Sequence, residues 1–97
     1  MRKLLEPLKV GNMELRNRIL LSAMAKYFCT NGYIGTEYIE YYRTIARGGT
    51  ALITPGIMCG DPKWYGQHEQ PFLCDDKYIP GLKKAIDAVH AEGAKFA

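Results

Sequence analysis

The chain of 97 residues is long enough for one domain and too short for two, and its 47% hydrophobic and 24% charged residues indicate a globular rather than a disordered protein. The lysines and arginines behind the net charge of +3 are scattered, which argues against a nucleic-acid surface. We expect no membrane segment and no signal peptide, because no apolar run approaches the roughly 20 residues that span a bilayer.

The cysteines and histidines predict neither a disulfide framework nor a metal centre. Cys29, Cys59 and Cys74 are odd in number and widely spaced, without a CxxC pair. His68 and His90 have no acids or cysteines at metal-ligand spacing; we expect His90 on a solvated helix face and His68 at most as a lining residue. The sequence therefore predicts reduced thiols in a cytoplasmic protein and no bound metal.

The chain begins with a predicted β-hairpin followed by a buried strand. Residues 8–10 and 13–15 flank Gly11-Asn12, a pair that tolerates the positive φ of a two-residue turn. Residues 19–24 are apolar or small, which is typical of a strand buried on both faces. A loop with Asn-Gly at its centre follows.

A helix over residues 37–47 comes next, with Thr36 as its N-cap and an apolar face at three- and four-residue spacing. Gly48-Gly49 ends it, because glycine adopts the left-handed conformation at a helix C-terminus. Residues 50–54 form the second strand, which Pro55 stops.

Residues 59–75 form a long polar and aromatic loop. It contains Trp64, Tyr65 and Phe72, which either face a broad apolar substrate such as a steroid or an acyl chain, or are packed against the protein.

The second helix starts at Asp75 or Asp76, has Pro80 near its first turn and ends at Gly93. Its buried stripe is predicted to be Leu82, Ile86 and Val89, and residues 94–97 begin a third strand. Alternating strands and helices predict an α/β fold with a parallel sheet.

Ligands of parallel α/β proteins bind at the carboxyl ends of the strands, where this chain has small residues. These are Ser22, Ala23, Met24 and Ala25 after the first strand and Pro55-Gly56 after the second. They either admit a flat ligand to the main chain or simply pack tightly. Tyr27, just beyond the first strand, either donates a hydrogen bond to a ligand carbonyl or packs under the next loop. No GxGxxG or GxxxxGK[ST] phosphate motif is present.

The run LxEPLKVGNMELRNRILLSAM, residues 4–24, strongly resembles the opening of the old yellow enzyme family. It is most similar to the bacterial branch of NADH:flavin oxidoreductases and 2,4-dienoyl-CoA reductases. Residues 41–49, 50–56 and 88–95 are similar to the family's first helix and its glycine, its second strand and the end of its second helix.

The resemblance implies that residues 1–97 are a partial FMN-binding domain: the N-terminal part of a TIM (β/α)8 barrel, with a hairpin, two βα units and the start of a third strand. It implies that Ser22, Ala23, Met24 and Ala25 line one side of the flavin through their backbone and that Pro55 and Gly56 line another. Tyr27 matches a tyrosine that contacts the substrate carbonyl in some relatives. The implied reaction passes hydride from NAD(P)H through FMN to an activated alkene.

The chain departs from the family at two positions near the flavin and in its length. Ala25 replaces a Thr or Cys that hydrogen-bonds the flavin in many relatives, and Ala23 replaces a proline. A TIM barrel needs about 250 residues, and this chain supplies about a quarter of its strands. By resemblance, the phosphate-binding loops and the proton donor lie elsewhere. An iron–sulfur cluster is expected only in a longer parent chain, because Cys29, Cys59 and Cys74 do not match that motif.

Two main hypotheses follow. The first is an oxidoreductase segment that does not turn over an unsaturated small-molecule substrate alone. The second is a non-catalytic, truncated module that associates with itself or another chain through unpaired strand edges. A barrel enzyme with a phosphorylated substrate is a third, less favoured hypothesis.

Overall fold

A computed structural model describes residues 2–61, 63 and 70–97, so the predictions for Trp64, Tyr65 and His68 lie outside the described residues. The helices are α1 (Arg2–Leu5), α2 (Thr36–Arg47) and α3 (Ile79–Ala91), and the strands are β1 (Leu8–Val10), β2 (Met13–Leu15), β3 (Leu20–Leu21), β4 (Leu52–Ile53) and β5 (Lys95–Phe96). A 3-10 turn, Asp76–Tyr78, leads into α3. No helix in the described ranges is long and apolar enough to cross a bilayer.

Two sheets carry these strands. β1 and β2 form the antiparallel hairpin, in which Val10 pairs with Met13 and Gly11 has a φ of 59°. β3, β4 and β5 lie side by side in that order and run parallel, as alternating strands and helices lead one to expect. The strand predicted over residues 19–24 is much shorter than expected: its ladder is confined to Leu20–Leu21.

The core lies between one face of the parallel sheet and the helices α2 and α3. Ile53 at the centre of the sheet is fully buried, and the partly buried Leu21 and Phe96, its neighbours in register, pack against the same core. The helices contribute buried side chains from their inner faces: Tyr38, Tyr42, Ala46, Ala85, Ala88 and Val89. In α3 the predicted stripe of buried residues is wrong in part. Leu82 and Ile86 are only half-buried, whereas the alanines Ala85 and Ala88 are buried together with Val89.

The helix ends have the capping residues predicted from the sequence, except at the start of α2. The cap of α2 is Gly35 without a side-chain hydrogen bond, so the prediction that Thr36 caps this helix is wrong; Thr36 is its first residue. Gly49 has a φ of 115° just after α2, as predicted. Asp75 accepts a hydrogen bond from the Lys77 N–H at 3.0 Å and caps the turn that opens α3.

Phe72 is one of the loop aromatics, and it is packed down. It is buried, and its ring lies edge-on to Tyr78 with centroids 5.5 Å apart. Backbone hydrogen bonds from Cys59 N–H to Pro71 O and from Leu73 N–H to Cys59 O, each 2.8 Å, tie the two ends of the loop together. Phe72 therefore serves packing, which is the second of the two interpretations given for the loop aromatics.

The side chain of Arg16 joins the C-terminal ends of both long helices. Its Nη2 donates to Ala46 O at 2.5 Å and to Thr50 O at 2.9 Å, and its Nη1 donates to Glu92 O at 2.7 Å. Carbonyls in the last turn of a helix lack partners within the helix and carry partial negative charge, so a guanidinium satisfies both needs. Asn17 extends the arrangement, because its Nδ2 donates to Gly49 O at 2.7 Å.

Cys29 belongs to the core cluster between the sheet and the helices, where burial raises its pKa from 9.0 to about 11. The neutral thiol contributes fully to stability below pH 9 and loses that contribution as the pH rises through about 11. Cys74 is exposed, and all three cysteines are free.

Replacing Arg16 with methionine should lower the free energy of unfolding by about 1–3 kcal/mol, because three carbonyls lose a charged donor. Urea unfolding followed by circular dichroism measures this. Arg18→Met is the matched control: Arg18 pairs with Glu6 across 3.9 Å at the surface, and its removal should cost less than about 0.5 kcal/mol. Equal losses in the two variants would contradict the role assigned to Arg16.

In the folded chain, Cys74 should react with a thiol reagent such as dithionitrobenzoate on the order of 100-fold faster than Cys29 at pH 8, because Cys29 is buried and protonated. Mass spectrometry of the labelled peptides assigns the reacted thiols, and urea should make them react alike. Comparable rates without urea would show that the core around Cys29 opens freely.

Candidate functional site

The carboxyl ends of the three parallel strands lie at one edge of the sheet. Thr54 N–H donates to Leu21 O at 3.1 Å, and Ala97 N–H donates to Ile53 O at 3.0 Å, so the ladder reaches one residue beyond each pair of strands. After β3 the chain leaves the ladder and runs on through residues 22–29 without regular structure. The small residues singled out from the sequence all lie at this edge.

The ends of β3 and β4 touch through their main chains. A Cβ atom at Gly56 would lie 1.9 Å from Met24 O and 3.0 Å from the Ala25 Cα, far inside contact distance. Glycine is required here by the close approach, not by an unusual backbone conformation. We call the surface formed by Met24, Ala25, Pro55 and Gly56 the strand-tip ledge.

The ledge has an open side and a buried side. Met24 is 47% exposed, Ala25 and Pro55 are half-buried, and Gly56 is buried. The structure therefore joins two of the segments that the sequence analysis singled out. Ser22 and Ala23 are exposed at the end of β3 that leads into the ledge.

Tyr27 lies two residues beyond the ledge and has a 56% exposed side chain. It is therefore not packed under the following loop, which was the alternative interpretation of this residue. An exposed phenol retains its hydrogen-bond donor for a ligand or for water.

Beneath the ledge lies Tyr42, a residue on the apolar face of α2 that was not predicted to take part in a site. The Tyr42 hydroxyl accepts a hydrogen bond from the Gly56 N–H at 3.2 Å in a buried environment. Burial raises the pKa of Tyr42, although the Gly56 N–H works in the opposite direction. The sequence held one signal for this contact: a tyrosine at a core-facing helix position carries a hydroxyl that needs a partner.

A second buried tyrosine, Tyr38, lies beside Tyr42 with ring centroids 4.8 Å apart. Burial, followed by the nearby Tyr42 and Cys29, raises the pKa of Tyr38 above its ordinary range. Its hydroxyl is fully buried without a hydrogen-bond partner of good geometry in the described part of the chain. The two phenols thus differ: Tyr42 accepts from the Gly56 N–H, whereas within the described ranges the Tyr38 hydroxyl interacts with the neighbouring Tyr42 hydroxyl without good hydrogen-bond geometry.

Next to Tyr42, the ring of Tyr41 has a cation at its face. The Lys26 ammonium lies 5.1 Å from the centroid of the Tyr41 ring, and the Tyr41 and Tyr42 rings meet edge-on with their centroids 5.0 Å apart. A cation over an aromatic face is favourable where it is partly shielded from water, and Lys26 is half-buried. The contact places a positive charge directly after the ledge residue Ala25.

Two cavities lie away from the ledge, near the start of α3, and share Cys74, Asp75 and Tyr78 in their walls. Their volumes are about 180 and 540 Å³, and no ledge residue lines either of them. The larger one combines Lys63 and Lys77 with Asp61 and Asp75, so its wall favours neither sign of ligand charge. In the described ranges, no three His, Cys, Asp or Glu side chains are grouped to hold a metal ion.

Known proteins resemble this chain over nearly its whole length. Residues 3–97 match the model of the NADH:flavin oxidoreductase / NADH oxidase family. A metal reductase of Desulforamulus reducens is 42% identical over 93 residues, which are 96% of this chain and 14% of that protein. A 4,4'-dithiodibutanoate disulfide reductase of Rhodococcus erythropolis is 36% identical over 95% of this chain and 23% of that protein.

Solved structures are also similar to this chain. A 2-naphthoyl-CoA reductase in complex with 2-naphthoyl-CoA superimposes with a TM-score of 0.92 at 34% identity, over 98% of this chain and 15% of that one. A morphinone reductase in complex with tetrahydroNAD superimposes with a TM-score of 0.86 at 26% identity, over 97% of this chain and 25% of that one. This chain thus spans a quarter or less of these relatives.

The family match covers far more than half of the chain, and the resemblance inferred from residues 4–24 is confirmed. The chain belongs to the NADH:flavin oxidoreductase / NADH oxidase family, which includes the old yellow enzymes.

Proposed function

We propose that this chain forms the first part of a TIM (β/α)8 barrel that binds FMN and uses it to reduce an activated alkene with NAD(P)H. The observation that carries the proposal is the strand-tip ledge: the main chains of Met24 and Gly56 touch at the carboxyl ends of adjacent parallel strands. This is where ligands bind in parallel α/β folds. The family relation supports the same cofactor and reductant.

The ledge residues fit a flat ring. Ala25 has a short side chain, so a planar group can approach the main chain at the end of the first parallel strand closely, and Gly56, without a side chain, lets the two strand ends meet beneath it. The exposed Met24 thioether offers a polarizable contact for a ring face. In the proposed site, Ser22, Ala23, Met24 and Ala25 border one side of the ring, and Pro55 and Gly56 border another.

Held against the ledge, FMN would supply the hydride chemistry that links a reduced nicotinamide to the β-carbon of an activated alkene. The protein would orient the flavin ring and the substrate relative to each other and polarise the substrate carbonyl. We assign the second task to the Tyr27 phenol, which is exposed beyond the ledge and donates to that oxygen. Ala25 has no side-chain donor, so we expect main-chain groups or other residues to tune the potential of a bound flavin.

The described part of the chain holds no glycine-rich phosphate loop. Phosphate contacts at helix N-termini and loops contribute much of the binding of a phosphorylated cofactor, and we place those of FMN in later barrel strands of a longer protein. We propose no iron–sulfur cluster for residues 1–97; such a cluster would require a longer chain. We place the protein in the cytoplasm, where free thiols such as Cys29, Cys59 and Cys74 persist.

A second candidate is a non-catalytic module that pairs with itself or with another chain. The observation that favours it is the far face of the parallel sheet, where Leu20 is 53% exposed beside the half-buried Leu52. Among the described strands, β3 and β5 are also the edges of their sheet, and such edges promote pairing. A clean monomer in analytical ultracentrifugation at micromolar concentration would argue against this candidate.

The isolated chain should bind FMN weakly and elute without yellow colour from gel filtration, because we place the phosphate contacts in later strands of the barrel. A chimera in which these residues replace the matching segment of the Rhodococcus disulfide reductase should bind FMN in a 1:1 ratio and reduce a cyclic enone with NADH or NADPH. The unmodified reductase is the control for folding and cofactor content. A folded chimera without flavin would refute the proposed function, and tight FMN binding by the isolated chain would refute the division of contacts.

Gly56→Ala in the same chimera should lower FMN occupancy at least about tenfold, because a methyl group there forces the two strand ends apart. Gly60→Ala is the matched control, since a Cβ at Gly60 meets nothing within 4 Å. Absorbance at the flavin band per mole of protein gives the occupancy. Full occupancy in Gly56→Ala, with the control also unchanged, would show that the ledge is not part of the flavin site.

A further inference from the structure

We infer that Tyr42 is a positioning residue for the flavin: its hydroxyl fixes the main chain at Gly56, and thereby the position of the ledge against which the ring binds. The inference rests on the proposed function and adds to it a residue that does not itself touch the ring. Tyr42 lies on the inner face of α2 and is 2% exposed. Its ring is held edge-on by Tyr38, Tyr41 and Phe96, with centroid distances of 4.8, 5.0 and 6.2 Å.

The Gly56 N–H depends on Tyr42 for its partner. β4 ends at Ile53, and the last hydrogen bond that joins this strand end to β3 is made by Thr54 N–H. Gly56 thus lies beyond the ladder, yet it is buried, and a buried N–H without an acceptor is costly. The tyrosine hydroxyl, brought from a helix 14 residues earlier in the chain, supplies that acceptor at 3.2 Å.

The same peptide is confined from the other side. With Met24 O next to the Gly56 Cα, this segment is held between the end of β3 and the phenol of Tyr42. Loss of the hydroxyl frees the Gly56 N–H to seek water or another acceptor, and the rest of the ledge moves with it. Because Ala25 offers no side-chain donor, the main chain of the ledge is where a shift would change the environment of the flavin.

Tyr38 provides a matched control. It lies on the same helix face, is equally buried and loses the same single atom on substitution by phenylalanine, but among the described residues its hydroxyl makes no hydrogen bond of good geometry and none to Gly56. Removing an unsatisfied buried hydroxyl costs little or is stabilising. Any effect found in Tyr42→Phe and absent in Tyr38→Phe therefore belongs to the bond with Gly56 and not to burial or packing of a phenol.

The first arm of the test needs no flavin. In the 97-residue chain, amide hydrogen exchange at Gly56, measured by NMR, should speed up about tenfold or more in Tyr42→Phe and stay unchanged in Tyr38→Phe. Should Tyr42→Phe not fold, 3-fluorotyrosine at position 42 keeps the ring and weakens the acceptor, and the Gly56 amide proton should then shift upfield. An unchanged Gly56 amide in the folded variant would overturn the contact and with it the inference.

The second arm uses the FMN chimera described above. There Tyr42→Phe should raise the dissociation constant of FMN about tenfold and shift both the flavin absorbance maximum and its reduction potential, whereas Tyr38→Phe should leave all three unchanged. A purely structural role for Tyr42 would lower stability without moving the potential of the bound flavin. Faster exchange at Gly56 with unchanged flavin properties would therefore overturn the positioning role alone. A parent chimera that binds no FMN would overturn the proposed function as well.

Discussion

The contact between Gly56 and the Met24 carbonyl is the constraint on which the candidate site of this protein depends. Two strand ends approach so closely that a single methyl group would not fit between them. Parallel strands separated by a helix place their carboxyl ends together, and small residues let the chains touch after the ladder has ended. The Met24 side chain is exposed there, and Ala25 adds only a methyl group, so a rigid planar ligand can lie close to the ends of both strands.

The opposite edge of the sheet is organised by charge. Arg16 and Asn17 come just before β3, and their side chains donate to carbonyls at the ends of α2 and α3 and to the link into β4. These polar residues belong to the stretch that most resembles the family, yet they lie away from the ledge and serve stability. In α/β barrels, residues at the carboxyl ends of the strands serve chemistry and those at the other end hold the fold together.

Features that depend on residues close together in the sequence could be predicted, and contacts between residues far apart in the sequence could not. The turn at Gly11, the cap at Asp75 and the end of α2 at Gly49 depend on neighbouring residues and lie where they were predicted. The cap at Thr36 failed because the chain enters α2 through Gly35 in an extended conformation. The hydrogen bond from Gly56 to Tyr42 could not be predicted, because it joins segments whose distance only the assembled sheet determines.

The far face of the sheet links the two candidate functions to one physical cause. In register across it lie Leu20, Leu52 and Lys95, and none of them belongs to the core that the helices cover. Covering apolar surface of this kind is favourable whether the cover comes from later strands of a barrel or from a second chain. A closed barrel covers this face and pairs both edges of the sheet within one chain, whereas an associating module needs a second chain to do the same. One exposed apolar face and two open edges therefore underlie both candidate functions.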